Sequence, residues 1–404
     1  MDKTMIRKTI KIFSLAFLLV GTAQSVAAQQ VWKGTWATAV EFTGQGDMPK
    51  ESLSNRSCRQ VVHVSFGGNE LRLKLSNEFS KEPVEIKSVY IADTDQDCNW
   101  FVKGNTVKYL TFHGKKNVTM NAGEVAYSDL CKYNLKSGQR LTITVDYGKQ
   151  TPENATSHRG SRTTSYIVNG SKRVAKPMDK TFENGEKVDH WYNLSAIEVK
   201  TDENIPVVAV LGNSITDGRG STTNKQNRWT DFLSDALNAE KPYGVLNLGI
   251  GGNCVVEGGL SEPAMKRFDR DILGQAGVDK LVIFEGTNDI GCSGKNYEHV
   301  ADTLIACYKV LIAKAKAKGI KVYGATITPT KGNGWYSFWH EAIRQTVNEW
   351  IRKSGAFDGL IDFDELVRDP ADPQRLRKEY SDDWLHLNPN GYEAMGKFAA
   401  EKLN

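Results

Sequence analysis

The chain has 404 residues with 52 Lys or Arg and 48 Asp or Glu, which gives a formal net charge of +4 at pH 7. This length predicts two domains, each with its own core, and the near-neutral charge argues against nucleic acid as the main partner. The six cysteines include no CxxC pair, which argues against structural zinc, and their number excludes a disulfide-rich scaffold while allowing one or two bridges.

Residues 1–28 are predicted to be a signal peptide. An apolar run, Ile12–Val20, precedes a small-residue cleavage site at Val26–Ala28. The segment before it is basic through Lys3, Arg7, Lys8 and Lys11. The run is too short to span a bilayer comfortably, and no later apolar segment is long enough. Cleavage removes four basic residues and one acidic residue and lowers the formal charge from +4 to +1. We therefore expect a secreted or periplasmic protein without a retained membrane span.

Residues 29–200 are predicted to form a β-sandwich of jelly-roll type. Short runs with apolar alternation are bounded by Gly, Asn, Asp or Pro, as is typical of antiparallel sheets with one inward face. The runs are Val61–Phe66, Leu71–Leu75, Val84–Ile91, Val107–Phe112 and Leu141–Val145. Trp32 and Trp36 are expected to cap the core rather than to bind sugar rings. The polar stretches Asn77–Phe79 and Thr156–Tyr166 are interpreted as ordinary loops, although they could reach a neighbouring site, and Asn169–Lys187 as a long hairpin or surface excursion.

Residues 201–404 are predicted to form an α/β domain, because strand-like and helix-like segments alternate after Pro206. The strand candidates are Val207–Leu211, Val245–Leu248, Leu281–Phe284, Val322–Ala325 and Leu360–Phe363. The clearest helices are Trp229–Ala239, Ala301–Ala317, Phe338–Lys353 and Gly391–Leu403. Such alternation indicates a parallel sheet covered by helices on both faces, in three layers.

Four short blocks of polar residues and glycines fall at the predicted strand ends or just before the last helix. They are Gly212–Ser214, Asn247–Asn253, Gly286–Asp289 and Asp383–Asn388. Parallel α/β sheets bind ligands beyond the carboxyl ends of their strands. Each block alone is an ordinary turn, but four in this arrangement favour a catalytic site.

Ser214, His386 and Asp383 are the candidate catalytic residues. A serine hydroxyl is a poor nucleophile at pH 7 and needs a base, and a histidine titrates in the required range. Asp383, three residues before the histidine, can bond the far ring nitrogen and fix its tautomer. Asp383 and His386 are also possible metal ligands, but no third His or acid stands at ligand spacing. We therefore expect no metal and no organic cofactor.

Ser214, Gly252 and Asn288 are the candidate oxyanion-hole residues. The backbone N–H groups of Ser214 and Gly252 and the side-chain amide of Asn288 would supply donors from three adjacent strands. A phosphate-binding loop at Gly249–Gly252 is the alternative, but neither a GxGxxG nor a P-loop pattern is present.

This set of blocks resembles the SGNH (GDSL-like) hydrolase/esterase superfamily over most of Val207–Leu403. The four residues that name the family match Ser214, Gly252, Asn288 and His386. The first block departs from the family in reading Gly-Asn-Ser where Gly-Asp-Ser is usual, which bears on substrate preference more than on catalysis. The motifs Trp32–Trp36 and Ser76–Phe79 are similar to a secreted subgroup with an N-terminal β-sandwich. The resemblance implies a flavodoxin-like α/β/α fold and a serine esterase.

Several neighbouring residues receive other interpretations. Asp382 is expected to be a solvated loop acid, Asp289 to brace the third loop and Asn253 the second. The remaining histidines are interpreted as structural or surface residues: His63, His113, His158, His190, His299 and His340. Trp335 and Trp339, after the fourth strand, are candidates for stacking on a sugar, with packing against the next helix as the alternative.

The cysteines leave one pairing open. Cys254 and Cys292 follow two neighbouring loops and could form a disulfide in an oxidising compartment, or could miss the required geometry. Cys307 is expected to be a buried free thiol. For Cys58, Cys98 and Cys131 the sequence favours no pairing.

The predicted substrate is an acylated carbohydrate, because the loops around the four blocks are rich in Gly, Asn, Ser, Thr and Trp. Small-ester carboxylesterase or lipase activity is the alternative, although a lipase needs a broad apolar surface. A non-catalytic carbohydrate-binding protein is the competing class. The sequence predicts no oligomeric state.

Overall fold

A computed structural model describes residues 30–95, 98–170, 180–201, 204–294 and 297–404. The predicted signal peptide lies outside the described residues, as does the middle of the predicted excursion at Asn169–Lys187. The described ends of that excursion belong to two paired antiparallel strands.

The N-terminal domain consists of antiparallel strands. In chain order they are β1 (Val31–Ala37), β2 (Glu41–Phe42), β3 (Arg56–His63), β4 (Gly68–Ser76), β5 (Val84–Asp93), β6 (Lys108–Tyr109), β7 (Val118–Met120), β8 (Val125–Tyr127), β9 (Cys131–Leu135), β10 (Arg140–Tyr147), β11 (Thr156–His158), β12 (Ser165–Asn169), β13 (Glu186–Val188), β14 (Trp191–Tyr192) and β15 (Leu194–Thr201). One sheet has the order β1-β15-β4-β8, with β9 also on β4, and the other has the order β13-β12-β3-β10-β5-β6, with β7 on β5. A small third sheet has the order β14-β11-β2.

The core of this domain lies between the two large sheets. Successive side chains of a strand point to opposite faces, so β4 buries Leu71, Leu73 and Leu75, and β10 contributes Ile143 and Val145. The predicted β-sandwich is therefore confirmed. The strand expected over Val107–Phe112 is only two residues long, because residues 104–106 form a 3₁₀ turn and Phe112 pairs with Lys115 in a tight bend.

The C-terminal domain alternates strands and helices. Its strands are β16 (Val207–Gly212), β17 (Gly244–Gly249), β18 (Lys280–Phe284), β19 (Lys321–Ala325) and β20 (Gly359–Ile361). Its α-helices are α1 (Ser214–Asp217), α2 (Trp229–Asn238), α3 (Ala264–Phe268), α4 (Thr287–Gly291), α5 (Val300–Lys316), α6 (Phe338–Lys353), α7 (Phe363–Val367) and α8 (Pro389–Leu403). Short 3₁₀ turns at Gln45–Asp47, Gly104–Thr106, Lys180–Asn184 and Lys378–Tyr380 and a π-helical turn at Asp269–Leu273 complete the described elements.

The five C-terminal strands form one parallel sheet with the order β17-β16-β18-β19-β20. Val208 and Val210 of β16 face α2 and α8, whereas Ala209 and Leu211 face α5 and α6. This alternation confirms the predicted three-layer α/β/α domain. The last strand ends earlier than predicted, since the Asp362 carboxylate accepts the Glu365 N–H at 3.1 Å and starts α7 at Phe363.

The two domains share an extensive contact. Strand β1 lies along β17, the Gly34 N–H donates to the Ala276 carbonyl at 2.9 Å, and the Val245 N–H donates to Ser65 Oγ at 3.1 Å. Ala37 and Ala39 enter the core of the C-terminal domain. Among the described residues, no helix combines the length and apolarity needed to cross a membrane.

Candidate active site

Ser214 lies at the carboxyl end of the central strand β16. The strand is wholly buried, and the chain leaves it through Asn213, whose side chain caps α1 by accepting the Ile215 N–H at 3.1 Å. Ser214 is therefore the first residue of a helical turn anchored to the sheet, with 9% of its surface exposed. A hydroxyl fixed at this edge can meet both a base and a ligand.

His386 and Asp383 come from the loop before α8. His386 Nε2 lies 2.9 Å from Ser214 Oγ, and His386 Nδ1 lies 2.7 Å from Asp383 Oδ2. The other carboxylate oxygen of Asp383 accepts the N–H of His386 at 2.7 Å and the N–H of Leu385 at 3.0 Å. The structure thus brings the three predicted residues into one hydrogen-bonded chain.

The electrostatics of this chain suit a neutral imidazole that faces the hydroxyl. Burial lowers the pKa of His386; the hydrogen bond to Asp383 opposes this, and the positive charges of Arg219 and Arg162 add to the lowering. Burial raises the pKa of Asp383, but hydrogen bonds from His386 and from two backbone N–H groups outweigh it and hold the pKa below its usual value. The carboxylate stays ionised and the imidazole can accept a proton at neutral pH.

Gly252 adopts a left-handed conformation with φ +70° in the loop after β17. A side chain there would be strained, and its Cβ would contact the Leu260 side chain at 2.8 Å. The same loop is closed by the Leu260 N–H, which donates to the Gly252 carbonyl at 2.8 Å. The glycine therefore lets the backbone turn beside Ser214.

Asn288, in the first turn of α4, is 5% exposed. Its Nδ2 donates to the Asn253 carbonyl at 2.6 Å, which occupies one of the two amide hydrogens. The second hydrogen is available to a ligand in the pocket, which Ser214, Gly252 and Asn288 all line.

The loop after β17 is braced differently from the sequence expectation. Asp289 accepts the N–H groups of Val255 and Val256 at 2.9–3.0 Å, so it also braces the second loop, beyond its own third loop. The two loops lie side by side, and the fold sets which one the carboxylate reaches. Asn253 does brace the second loop, through bonds from its Nδ2 to the carbonyls of Leu260 and Glu262. Asp382 is exposed, as expected.

A buried arginine, Arg267, contacts the carboxyl ends of β16 and β17. Arg267 of α3 donates to the Gly212 carbonyl at 3.2 Å, to the Leu248 carbonyl at 2.8 Å and to Asn253 Oδ1 at 2.9 Å. Its guanidinium also lies 3.8 Å from Glu285, a fully buried acid at the end of β18. A single cation therefore ties the end of β16, which precedes Ser214, to the loop that carries Gly252.

The contacts of Asn213 bear on the first block, which reads Gly-Asn-Ser where the GDSL-like family usually has Gly-Asp-Ser. Its Nδ2 donates to Glu285 Oε2 at 3.3 Å while its Oδ1 caps α1. An aspartate at this position would lack the N–H that donates to Glu285 and would add a second acidic side chain beside it. The amide is the side chain that both caps the helix and donates to the buried acid.

The three candidate catalytic residues line a pocket of about 760 Å³ built from both domains. The C-terminal domain contributes Trp335, Arg219 and Leu260, and the N-terminal loop between β11 and β12 contributes Arg159 and Arg162. The loop at Thr156–Tyr166 therefore does reach the site. Its sequence carries no signal for this, because the contact depends on how the two domains pack.

The two tryptophans named from sequence lie in different places. Trp335 lines the pocket, whereas Trp339 lies outside its lining and is 56% exposed. Trp339 stacks on Tyr297 with ring centroids 5.8 Å apart. Trp36 packs edge-on to Trp191 in the sandwich core at 5.0 Å, and Trp32 lies against the Arg72 guanidinium at 4.3 Å.

Cys254 and Cys292 are both free thiols, so the disulfide considered between them is not formed. Cys254 is buried and Cys292 is exposed. Burial, together with neighbouring groups that include the Cys292 thiol, raises the pKa of Cys254. Cys307 is half-buried and unpaired. In the described parts of the chain, no three His, Cys, Asp or Glu side chains are grouped to hold a metal ion.

Comparisons with known proteins find a family model and several similar solved structures. The model of the GDSL-like lipase/acylhydrolase family matches residues 210–394. A GDSL-like lipase from Bacteroides thetaiotaomicron is 21% identical, with coverage of 50% of this chain and 88% of the other and a TM-score of 0.38. The acetyl xylan esterase AlAXEase is 20% identical, with 48% and 98% coverage and a TM-score of 0.37. No curated protein matches the chain.

Proposed function

We propose that residues 210–394, which match the model of the GDSL-like lipase/acylhydrolase family, are the catalytic part of an exported serine esterase that removes O-acetyl groups from a carbohydrate. The observation that carries the proposal is the hydrogen-bonded chain from Ser214 through His386 to Asp383 at the wall of an open pocket. The family match supports acyl transfer, and this chain of contacts supports Ser214, His386 and Asp383 as the residues that perform it.

The first half-reaction transfers the acyl group to the enzyme. Ser214 Oγ attacks the ester carbonyl carbon while His386 Nε2 takes the hydroxyl proton. Asp383 keeps the ring oriented and stabilises the imidazolium. The negative carbonyl oxygen is bound by the N–H groups of Ser214 and Gly252 and by Asn288 Nδ2. Collapse of this intermediate breaks the bond to the alcohol oxygen, which leaves with the proton of His386.

The second half-reaction releases the acid. Water takes the place of the departed alcohol and gives a proton to His386 as its oxygen attacks the acyl carbon. The same donors bind the second oxyanion. Collapse then breaks the bond to Ser214 Oγ, which recovers the proton from His386, and the carboxylic acid leaves.

A carbohydrate is favoured by what surrounds the nucleophile. The wall holds an indole ring, Trp335, together with charged side chains such as Arg219 and Asp47. Sugars offer hydroxyl groups to such charges and ring faces to an indole. The apolar side chains at the wall, Leu260 and Leu385, are few, which favours a short acyl group over a long chain. Export is proposed from the signal-like start of the sequence.

The first test is Ser214→Ala measured with p-nitrophenyl acetate. We expect hydrolysis to be abolished with the fold intact. Ser293→Ala is a matched control, because Ser293 Oγ also contacts a histidine, His340 Nε2 at 3.3 Å, but lies outside the pocket lining. The proposal would be contradicted if Ser214→Ala kept full activity, or if its activity survived the substitution and was removed only by a chelator. A purified wild type without turnover would favour the carbohydrate-binding class.

The second test concerns the substrate. Acetate release from acetylated xylan, acetylated pectin and monosaccharide acetates is compared with hydrolysis of esters of increasing acyl length. The proposal predicts that acetyl glycans are the best substrates by kcat/KM. A preference for acyl chains of about eight carbons or more would assign the enzyme to the lipases and leave the serine mechanism unchanged.

A further inference from the structure

The helical turn that carries Ser214 is too short to hold its own position. Helix α1 is only four residues long, from Ser214 to Asp217, and its four residues are buried. Isolated helical turns are unstable, so a turn of this length is fixed by tertiary contacts. Ser214 and Asp217 lie at its two ends, which means that a group holding Asp217 also sets the orientation of Ser214.

Asp217 is held by two residues of the other domain. Its Oδ1 accepts from His158 Nε2 at 2.8 Å, and its Oδ2 accepts from Arg162 Nη2 at 2.5 Å. The carboxylate side chain is 1% exposed. Both partners belong to the segment between β11 and β12 of the sandwich. Charge-assisted bonds in such a dry site are the strong ones.

The hydrogen bonds of His158 require a protonated ring. Its Nδ1 lies 2.9 Å from the Ala39 carbonyl and its Nε2 faces the Asp217 carboxylate, so both nitrogens must donate. Glu41 Oε1 also lies near the ring, 3.6 Å from Nδ1. Burial lowers the pKa of His158, but the bond to Asp217, the two carboxylate charges and the Ala39 carbonyl outweigh it and raise the pKa above its usual value.

We propose that His158 is a positioning residue of the esterase, which acts through Asp217 to orient the turn that carries Ser214. The N-terminal sandwich is then part of the catalytic unit and not only an aid to substrate binding. The inference rests on the proposed role of Ser214. His158 itself does not line the pocket around the nucleophile, so its effect on catalysis must pass through Asp217.

The chain offers a matched control in a second His–Asp contact between the same domains. His63 Nδ1 lies 3.0 Å from Asp231 Oδ1, and both side chains are largely buried. Asp231, however, belongs to α2 and not to the turn of Ser214. Loss of either contact weakens the domain junction, whereas only loss of the His158 contact releases α1.

The experiment compares His158→Gln with His63→Gln in the full chain. Each variant is first shown to be folded by near-UV circular dichroism. Three quantities are then measured: kcat and KM for p-nitrophenyl acetate, and the rate of inactivation by a fluorophosphonate, which reports serine reactivity without a substrate. For His158→Gln we expect kcat and the inactivation rate to fall about 10- to 100-fold with KM changed less than about twofold. For His63→Gln both rates should stay within about twofold of the wild type.

Asp217→Asn provides a second route if His158→Gln does not fold. It keeps the size of the side chain, and it should lower kcat in the same way, with no further loss in the double variant. Wild-type kcat in a folded His158→Gln or Asp217→Asn protein, or equal losses in His158→Gln and His63→Gln, would overturn the inference. Ser214→Ala separates the two proposals, because activity in that variant would remove the nucleophile assignment, whereas normal kcat in His158→Gln removes only the positioning role.

Discussion

Glu285 is a buried acid that contacts Asn213, the residue before Ser214, and its replacement by glutamine is predicted to stabilise the protein at high pH. Its Oε2 accepts from Asn213 Nδ2 at 3.3 Å and from the Gly286 N–H at 3.2 Å, while its Oε1 has no hydrogen-bond partner. Burial raises the pKa of Glu285 to about 8, although the nearby charge of Arg267 opposes the shift.

The size of the effect follows from the two pKa values. The unfolded chain releases the Glu285 proton near pH 4.5, whereas the folded protein keeps it until about pH 8. Between these values the folded state binds the extra proton, so stability falls by about 1.4 kcal/mol per pH unit as the pH rises. The loss totals about 5 kcal/mol over the interval. A glutamine does not titrate. The free energy of unfolding of Glu285→Gln therefore rises relative to that of the wild type as the pH increases through this range.

The assay is denaturant unfolding of both proteins at about pH 5, 6.5 and 8. The variant should be equal to the wild type or slightly less stable at pH 5, because its amide nitrogen lacks an acceptor, and more stable by a few kcal/mol at pH 8. Glu262→Gln is a control of opposite sign, since Arg270 and Lys266 lower the pKa of Glu262 against the effect of its burial. A stability difference for Glu285→Gln that does not change with pH would refute the reasoning.

Three further predictions concern the catalytic residues. Asp383→Asn should lower kcat about 10³- to 10⁴-fold because the bond that fixes His386 is lost; a kcat within tenfold of wild type would exclude Asp383 as the orienting acid. Asn288→Ala should lower kcat about 10²- to 10³-fold with little change in KM, and an effect on KM alone would assign Asn288 to substrate binding. Arg219→Gln should raise the pKa of His386, because the positive charge of Arg219 contributes to its lowering. The acid limb of the pH profile of kcat/KM should then move to higher pH. A limb that does not move would show that Arg219 does not act on His386.

The local architecture could be predicted from the sequence because its signals are local. Helix α6 begins and ends at the predicted residues, Phe338 and Lys353, and Ser337 caps its first turn. The central strand is likewise placed to within one residue, since a continuous apolar run bounded by Pro206 and Gly212 admits few alternatives. Glycine-containing turns then fix where the first three blocks leave the sheet.

Contacts between distant segments could not be predicted in this way. The sequence leaves His158 without a partner, because Asp217 lies 59 residues away in the other domain. The burial of Glu285 also depends on the position of α3, which supplies Arg267 from a short and weakly patterned helix. Such pairs are set by domain packing, and a single sequence contains no periodicity that reports it.

The proposed function depends above all on Ser214 being the nucleophile of an esterase. Mass spectrometry of the intact protein and its peptides after reaction with a fluorophosphonate tests it most directly. We expect one adduct, on the peptide that contains Ser214, with loss of p-nitrophenyl acetate hydrolysis in proportion to labelling, and no adduct in Ser214→Ala. Labelling of another residue with the same loss of activity, or full activity in a protein labelled at Ser214, would contradict it.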